Sequence, residues 1–195
     1  MGIIQYNQEK SEGGMIRPLL KEEHYTIADI YALPEGERAE LIDGKMYMMA
    51  PPSTTHQLLM NSINIEIGSY IKSKGGKCKV IPAPFAVFLK DEKDKDSYVE
   101  PDISVVCDSS KLDDKGCHGA PDWVIEIVSP SSKKMDYSKK QALYCDAGVR
   151  EYWIVDPARE VTVIYRSEED WVPVFHKFGE KLRAEIYDDL EIVVE

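Results

Sequence analysis

Asp102 follows a proline, and twenty-four residues later Glu126 stands inside the apolar run Trp123-Val124-Ile125-Glu126-Ile127-Val128; Lys140 comes next. Two carboxylates at the ends of neighbouring strands can hold a hard divalent ion, which favours oxygen ligands. A lysine beside them can offset negative charge that develops in a transition state. In that order the set points to metal-dependent cleavage of a phosphodiester. Glu126 carries most weight, because an ionised carboxylate within a strand buried on both faces costs several kcal/mol unless it is paired or metal-bound. Its bland alternative is a buried ion pair. Asp102 alone would be an ordinary strand start, and gains meaning only from its pairing with Glu126.

Val128 stands two residues after Glu126, on the same strand face, where a lysine would serve such a pair and a valine cannot. The next segment offers a substitute: Asp136, Lys140 and Tyr144 fall at i, i+4 and i+8, on one helix face. An exposed Asp136–Lys140 pair would be the bland reading, worth about 0.2–0.5 kcal/mol. Lys139 points roughly 100° away around the helix and suits the role less. Glu40 could complete a metal shell or orient water. His56, at the start of a long helix, could join the site or be an ordinary surface or capping residue.

The elements that position these residues follow from periodicity and punctuation. Residues 1–24 read as a flexible lead-in. Thr26 and Asp29 form a capping-box pattern for a short helix over 27–33. Residues 39–42 and 45–49 flank Asp43-Gly44, a dipeptide suited to a type I′ hairpin turn. Ser53 caps a long helix whose apolar residues Leu59, Ile63, Ile67 and Ile71 recur at helical spacing up to Gly75-Gly76. Strands are expected over 78–81, 85–89, 103–107 and 123–128, with loops over 91–97 and 108–121. A helix over 136–147 ends at Gly148. Strands over 151–155 and 161–165 and further short strands complete one α/β domain over 25–195 with a mixed central sheet.

The chain has 195 residues, 43% hydrophobic and 30% charged, which suits a globular domain with a sizeable core. It shows neither an apolar run of membrane-span length nor the apolar stretch of a signal peptide, so a cytoplasmic protein without a membrane partner is expected. Cys107 and Cys145 sit in apolar contexts and read as small buried hydrophobes. Cys117-His118 lacks the further ligands of a zinc site. The net charge of -11 opposes long-range attraction of nucleic acid. The charge is uneven, however: residues 160–195 carry ten acids and four bases, whereas 133–140 carries four lysines and one acid.

Six segments occur in order: Glu40-Leu41-Ile42-Asp43-Gly44-Lys45, Pro51-Pro52-Ser53-Thr54-Thr55-His56, Glu100-Pro101-Asp102-Ile103, Glu126-Ile127-Val128-Ser129-Pro130-Ser131, residues 136–144, and residues 148–157. Together, over roughly residues 25–170, they resemble the Uma-two family of endonucleases within the PD-(D/E)XK, restriction-endonuclease-like superfamily. The resemblance implies a restriction-endonuclease-like α/β core: a mixed central β-sheet flanked by helices, with an additional N-terminal helix and hairpin and C-terminal strands. It implies that Asp102 and Glu126 bind metal, that Glu40 is a further acidic site residue, that Lys140 is the lysine moved onto the helix, and that His56 lies near the site. Val128 departs from the superfamily pattern but agrees with this displaced lysine.

The expected function is Mg²⁺-dependent (or Mn²⁺-dependent) hydrolysis of DNA, with Asp102, Glu126 and the Ile127 carbonyl as metal ligands and Lys140, Glu40 and His56 completing the catalytic set. By analogy with nucleases that act on two strands, a homodimer is expected. One rival is a non-catalytic nuclease fold that binds DNA or a protein partner. A weaker one is a glycosidase-type carboxylate pair, in which Lys140 has no place.

Overall fold

The structure is a computed structural model and describes residues 24–90 and 95–195. The lead-in expected over 1–24 thus lies, apart from His24, outside the described residues. Local signals near the start of the described chain act as read. The Asp29 carboxylate accepts from the Thr26 N–H (2.7 Å) and hydroxyl (2.8 Å) and opens helix α1 (Ile27–Tyr31). Strands β1 (Ala39–Ile42) and β2 (Lys45–Met48) pair antiparallel. Asp43 and Gly44 between them take φ of 54° and 70°, as a type I′ turn requires.

Ser53 caps α2 (Thr54–Ser73) by accepting the His56 N–H. The buried stripe Leu59, Ile63, Ile67 and Ile71 turns that helix onto the sheet below. Each such side chain contributes roughly 1.5–3 kcal/mol of burial.

The strands form two six-stranded sheets and a two-stranded ribbon. In the first sheet β2 and β1 are followed by β5 (Asp96–Val99), β4 (Val87–Lys90), β8 (Gly116–His118) and β7 (Leu112–Asp113). The second runs β12 (Val174–Lys177), β11 (Val161–Arg166), β10 (Glu151–Asp156), β9 (Trp123–Ile127), β6 (Ile103–Val106) and β3 (Lys79–Pro82). Both sheets are mixed, with β9 parallel to β10 and β4 parallel to β8. The ribbon joins β13 (Lys181–Arg183) to β14 (Glu191–Val193).

The α/β nuclease-like fold expected from the sequence is present, and its sheet is resolved into two. One apolar cluster joins them: Val87, Leu89 and Val99 of the first pack with Val124, Ile154 and Val163 of the second. The opposite face of the second sheet packs on α2 and the ribbon, through Trp123, Ile125 and Trp153. This double coverage explains why every residue of β9 is buried.

Several local expectations change. The stretch 91–97 read as a loop, yet Asp96 already pairs with Lys90; residues 91–94 lie outside the described set. The expected loop over 108–121 contains a 3₁₀ turn (Ser109–Lys111), β7 and β8. The helix expected over 136–147 begins as a π-helix (Met135–Lys140) and becomes α3 (Gln141–Ala147), ending at Gly148 with φ 84°. Cys107 is not a free buried hydrophobe but is disulfide-bonded to Cys78. The β3–β6 register, which sets Lys79 opposite Val106, brings these flanking residues together. Among the described residues no helix is long and apolar enough to cross a membrane.

Candidate active site

The chain crosses from the first sheet to the second at Glu100-Pro101-Asp102, between the end of β5 and the start of β6. That crossing sets Asp102 beside the end of β9. Its Oδ2 accepts the Ile127 N–H at 2.7 Å and lies 3.1 Å from His56 Nε2. Glu126, one residue earlier, turns its carboxylate toward the π-helix. Glu126 Oε1 receives Lys140 Nζ at 2.9 Å and the Tyr144 hydroxyl at 2.7 Å. Glu40 approaches from β1: its Oε1 lies 2.8 Å from Lys140 Nζ and also accepts the Glu100 N–H at 3.0 Å. All six expected site residues, Glu40, His56, Asp102, Glu126, Ile127 and Lys140, line one cavity of about 650 Å³.

Glu126 and Lys140 are each 4% exposed and Glu40 is 5% exposed, so the charges meet in a medium that strengthens them and penalises any left unpaired. Burial pushes Glu126 well above the ordinary carboxyl range, against the pull of Lys140. Burial alone would lower Lys140, but Glu126, Glu40 and Asp136 more than offset it and hold the ammonium protonated. His56 follows the same pattern: desolvation pulls the imidazole down, and Asp102, Gln57 and the Ile127 backbone bring it above its usual value.

The contacts follow a rule. Each of the three carboxylates is anchored through a single oxygen, namely Oε1 of Glu40, Oε1 of Glu126 and Oδ2 of Asp102. Among the described residues the second oxygen of each makes no hydrogen bond or ion pair. Val128 donates its N–H to the Val155 carbonyl on the β10 side, so the preceding residue, Ile127, turns its peptide groups to the β6 side. The Ile103↔Ile125 register puts Pro101 opposite Ile127 there, and a proline has no N–H to offer the Ile127 carbonyl, whose polar neighbour is instead the His56 imidazole.

Among the described residues no group of three or more His, Cys, Asp or Glu side chains converges tightly enough to enclose an ion. Mg²⁺ asks for less, since one or two carboxylates with waters suffice. The second oxygens of Asp102 and Glu126, with the Ile127 carbonyl, match that donor chemistry.

Some residues of the site escaped sequence reasoning. Asp136 shares a helix face with Lys140 but was not among the expected site residues; it is 1% exposed in the cavity wall, with neither oxygen hydrogen-bonded among the described residues and Lys140 Nζ 4.0 Å away. Burial pushes its carboxyl up to about 6. Asp136, Lys140 and Tyr144 share one face across the π-helix and α3, so the contacts that draw Lys140 in to Glu40 and Glu126 carry Asp136 in with it; π-turns recur at functional sites. Glu100 is the second: it pairs with Arg38 and accepts the Tyr98 hydroxyl at 2.9 Å, fixing the backbone that grips Glu40. Its presence beside Pro101-Asp102 was the available signal. Lys139 points outward, with its ammonium 4.8 Å from the centre of the Tyr47 ring.

A family model described as "Uma2: Putative restriction endonuclease" matches residues 23–195. An uncharacterized protein of Synechocystis sp. is 23% identical over 151 residues, covering 76% of this chain and 77% of its own. Among solved structures, a crystal structure from Anabaena variabilis, described as that of a putative nuclease belonging to DUF820, superposes with a TM-score of 0.66. That match has 22% identity and covers 87% of this chain and 94% of the other. At that identity the likeness speaks for the fold.

Proposed function

The chain belongs to the Uma2 family of putative restriction endonucleases, and we propose that it is a metal-dependent endonuclease that hydrolyses DNA phosphodiester bonds. One observation carries the reading: the Lys140 ammonium is held between Glu40 and Glu126 on the floor of the cavity that Asp102 and Ile127 also line. Asp102 and Glu126, through their second oxygens, and the Ile127 carbonyl would hold Mg²⁺. When bound, the ion would polarise the phosphate and lower the pKa of a coordinated water.

The remaining work falls to the chain's own groups. Lys140 has three N–H donors, of which Glu40 and Glu126 take two at 2.8 and 2.9 Å, while Asp136 at 4.0 Å is too far to bond the third. That third donor can meet a phosphoryl oxygen as its charge grows, from an ammonium whose position Glu40 and Glu126 already fix. Glu40 and Tyr144 keep the ammonium and Glu126 in place. His56 and the Ile127 N–H fix the rotamer of Asp102 from two sides. Arg38, Glu100 and Tyr98 support Glu40 from behind.

The charge of the lining also supports a metal-dependent reading. The lining presents Glu40, Glu100, Asp102, Glu126 and Asp136 against Arg38 and Lys140, an excess of acid that would repel a phosphate unaided.

The test is cleavage of end-labelled DNA by the wild type, Asp102→Asn and Lys140→Met, with Mg²⁺ or with EDTA. EDTA should abolish cleavage and Mg²⁺ restore it. Lys140→Met, checked by circular dichroism to be folded, should lose about 10²–10³ in rate yet still bind Mn²⁺. Asp102→Asn should weaken both. Full cleavage and full metal affinity in Asp102→Asn would overturn the assignment. A protein that only binds DNA would instead hold it equally well in EDTA and never cut it.

A further inference from the structure

The cavity has an apolar wall that phosphodiester chemistry does not use. Tyr47 sits directly opposite Glu40 in the β1–β2 pairing, so its side chain lies on the same sheet face as the carboxylate that holds Lys140. Met49, two residues on, follows it toward the cavity, and Met135 lines the cavity from the π-helix. A tyrosine ring and two thioether side chains beside the reacting groups form a flat, adaptable and sequence-indifferent surface. At its edge the exposed Lys139 donates its ammonium to the Tyr47 hydroxyl. An aromatic surface with a neighbouring cation is the arrangement that stacks an unpaired base while holding its phosphate.

Three further observations bear on what can enter. Lys140, Glu126 and Glu40 are almost fully buried, so the scissile phosphate has to descend into the cavity. A duplex is stiff, with a persistence length of about 50 nm, and carries its phosphates on the outside of stacked pairs. An unpaired strand can bend within a nucleotide or two and lower one phosphate while its base turns to the wall. Finally, the net charge of -11 gives no broad basic track for duplex DNA; of the four lysines of residues 133–140, Lys140 is buried and Lys133 pairs with Asp156, which leaves Lys134 and Lys139 exposed beside the cavity segment.

We propose that Tyr47, Met49 and Met135 form a base-stacking wall and that the cavity takes an unpaired DNA strand, as a single strand or a single-stranded tail, in place of an intact duplex. This rests on the nuclease reading for the position of the phosphate.

The experiment uses the wild-type chain and Tyr47→Ala with three fluorescent probes of one sequence: a single strand, a blunt duplex, and a duplex with a six-nucleotide tail. Affinity is read by stopped-flow anisotropy in Mg²⁺ before turnover, and cleavage products are then mapped. The single strand and the tailed duplex should bind at least about tenfold more tightly than the blunt duplex, with cuts in the unpaired part. Tyr47→Ala should weaken single-strand binding about 5- to 100-fold and leave Mn²⁺ affinity unchanged. Tyr47→Phe, which keeps the ring and loses only the hydroxyl that accepts from Lys139, should restore most of that binding.

Equal or tighter binding of the blunt duplex overturns the proposal, as does unchanged single-strand binding by Tyr47→Ala. Single-strand preference without cleavage of any probe would uphold this wall while removing the nuclease reading. Failure to bind every probe removes both.

Discussion

Replacing Lys140 with methionine keeps most of the side-chain volume and removes the charge, which isolates what the ammonium does. It lies 2.8 Å from Glu40, 2.9 Å from Glu126 and 4.0 Å from Asp136. At an effective dielectric of about 20, each of the two close contacts is worth roughly 6 kcal/mol of gross Coulomb attraction. Desolvation of the ammonium cancels much of that. The net effect of removing one member of a buried ion cluster is a loss of about 3–5 kcal/mol, because the remaining charges are stranded. For a domain of this size that corresponds to a Tm lower by roughly 6–20 °C.

The deficit should depend on pH with a definite sign. Without the ammonium, Glu126 and Asp136, which burial already holds above their ordinary values, rise further above those of the unfolded chain. The penalty is therefore full near pH 7.5 and shrinks as the pH falls and they protonate. Urea unfolding at pH 7.5 and pH 5, followed by circular dichroism, measures both parts. A deficit below about 1 kcal/mol at pH 7.5, or one unchanged at pH 5, would refute the claim that Lys140 neutralises a buried acidic cluster.

Two further outcomes follow from the same structure. Burial raises Asp136 from 3.8 to about 6, so the folded chain keeps this proton over a range in which the unfolded chain has released it. Wild-type stability should fall by up to about 3 kcal/mol as pH rises through that window, and Asp136→Asn should not share the fall; a stability gap between the two that stays constant from pH 4 to 7 would contradict it. The Cys78–Cys107 bridge spans 29 residues, so Cys78→Ser should cost about 3–4 kcal/mol in the chain-entropy account. Thiol titration of the denatured wild type should give two reactive cysteines before reduction and four after it, and four from the outset would show that the bridge is absent.

The legible part of the site was the part written in burial and order. A lone carboxylate in a strand as apolar as β9 announces itself, because nothing else about such a strand tolerates a charge. Glu126 and, through the helix that follows, Lys140 could therefore be found without coordinates. The Asp43-Gly44 turn, the Ser53 cap and the Gly148 stop were legible because each depends on a local backbone requirement. What stayed hidden depends on register and on tertiary packing. An i, i+4 Asp–Lys pair looks the same whether it faces water or a cavity, and only the contacts of Lys140 with Glu40 of β1 and Glu126 of β9 decide that this face goes inward. Cys78 and Cys107 meet through the β3–β6 register, which spacing along the chain does not encode. The division of one sheet into two turns on short strands such as β5, β7 and β8, which lie in charged segments and owe their pairing to neighbours and little to their own propensity.

The proposed divalent-metal site joins Asp102, Glu126 and the Ile127 carbonyl. Crystals soaked in Mn²⁺ and measured near the manganese absorption edge would reveal it. An anomalous peak is expected between the Asp102 and Glu126 carboxylates, absent from Asp102→Asn crystals soaked in the same way. Manganese found only elsewhere on the protein, or a peak that survives unchanged in Asp102→Asn, would contradict it.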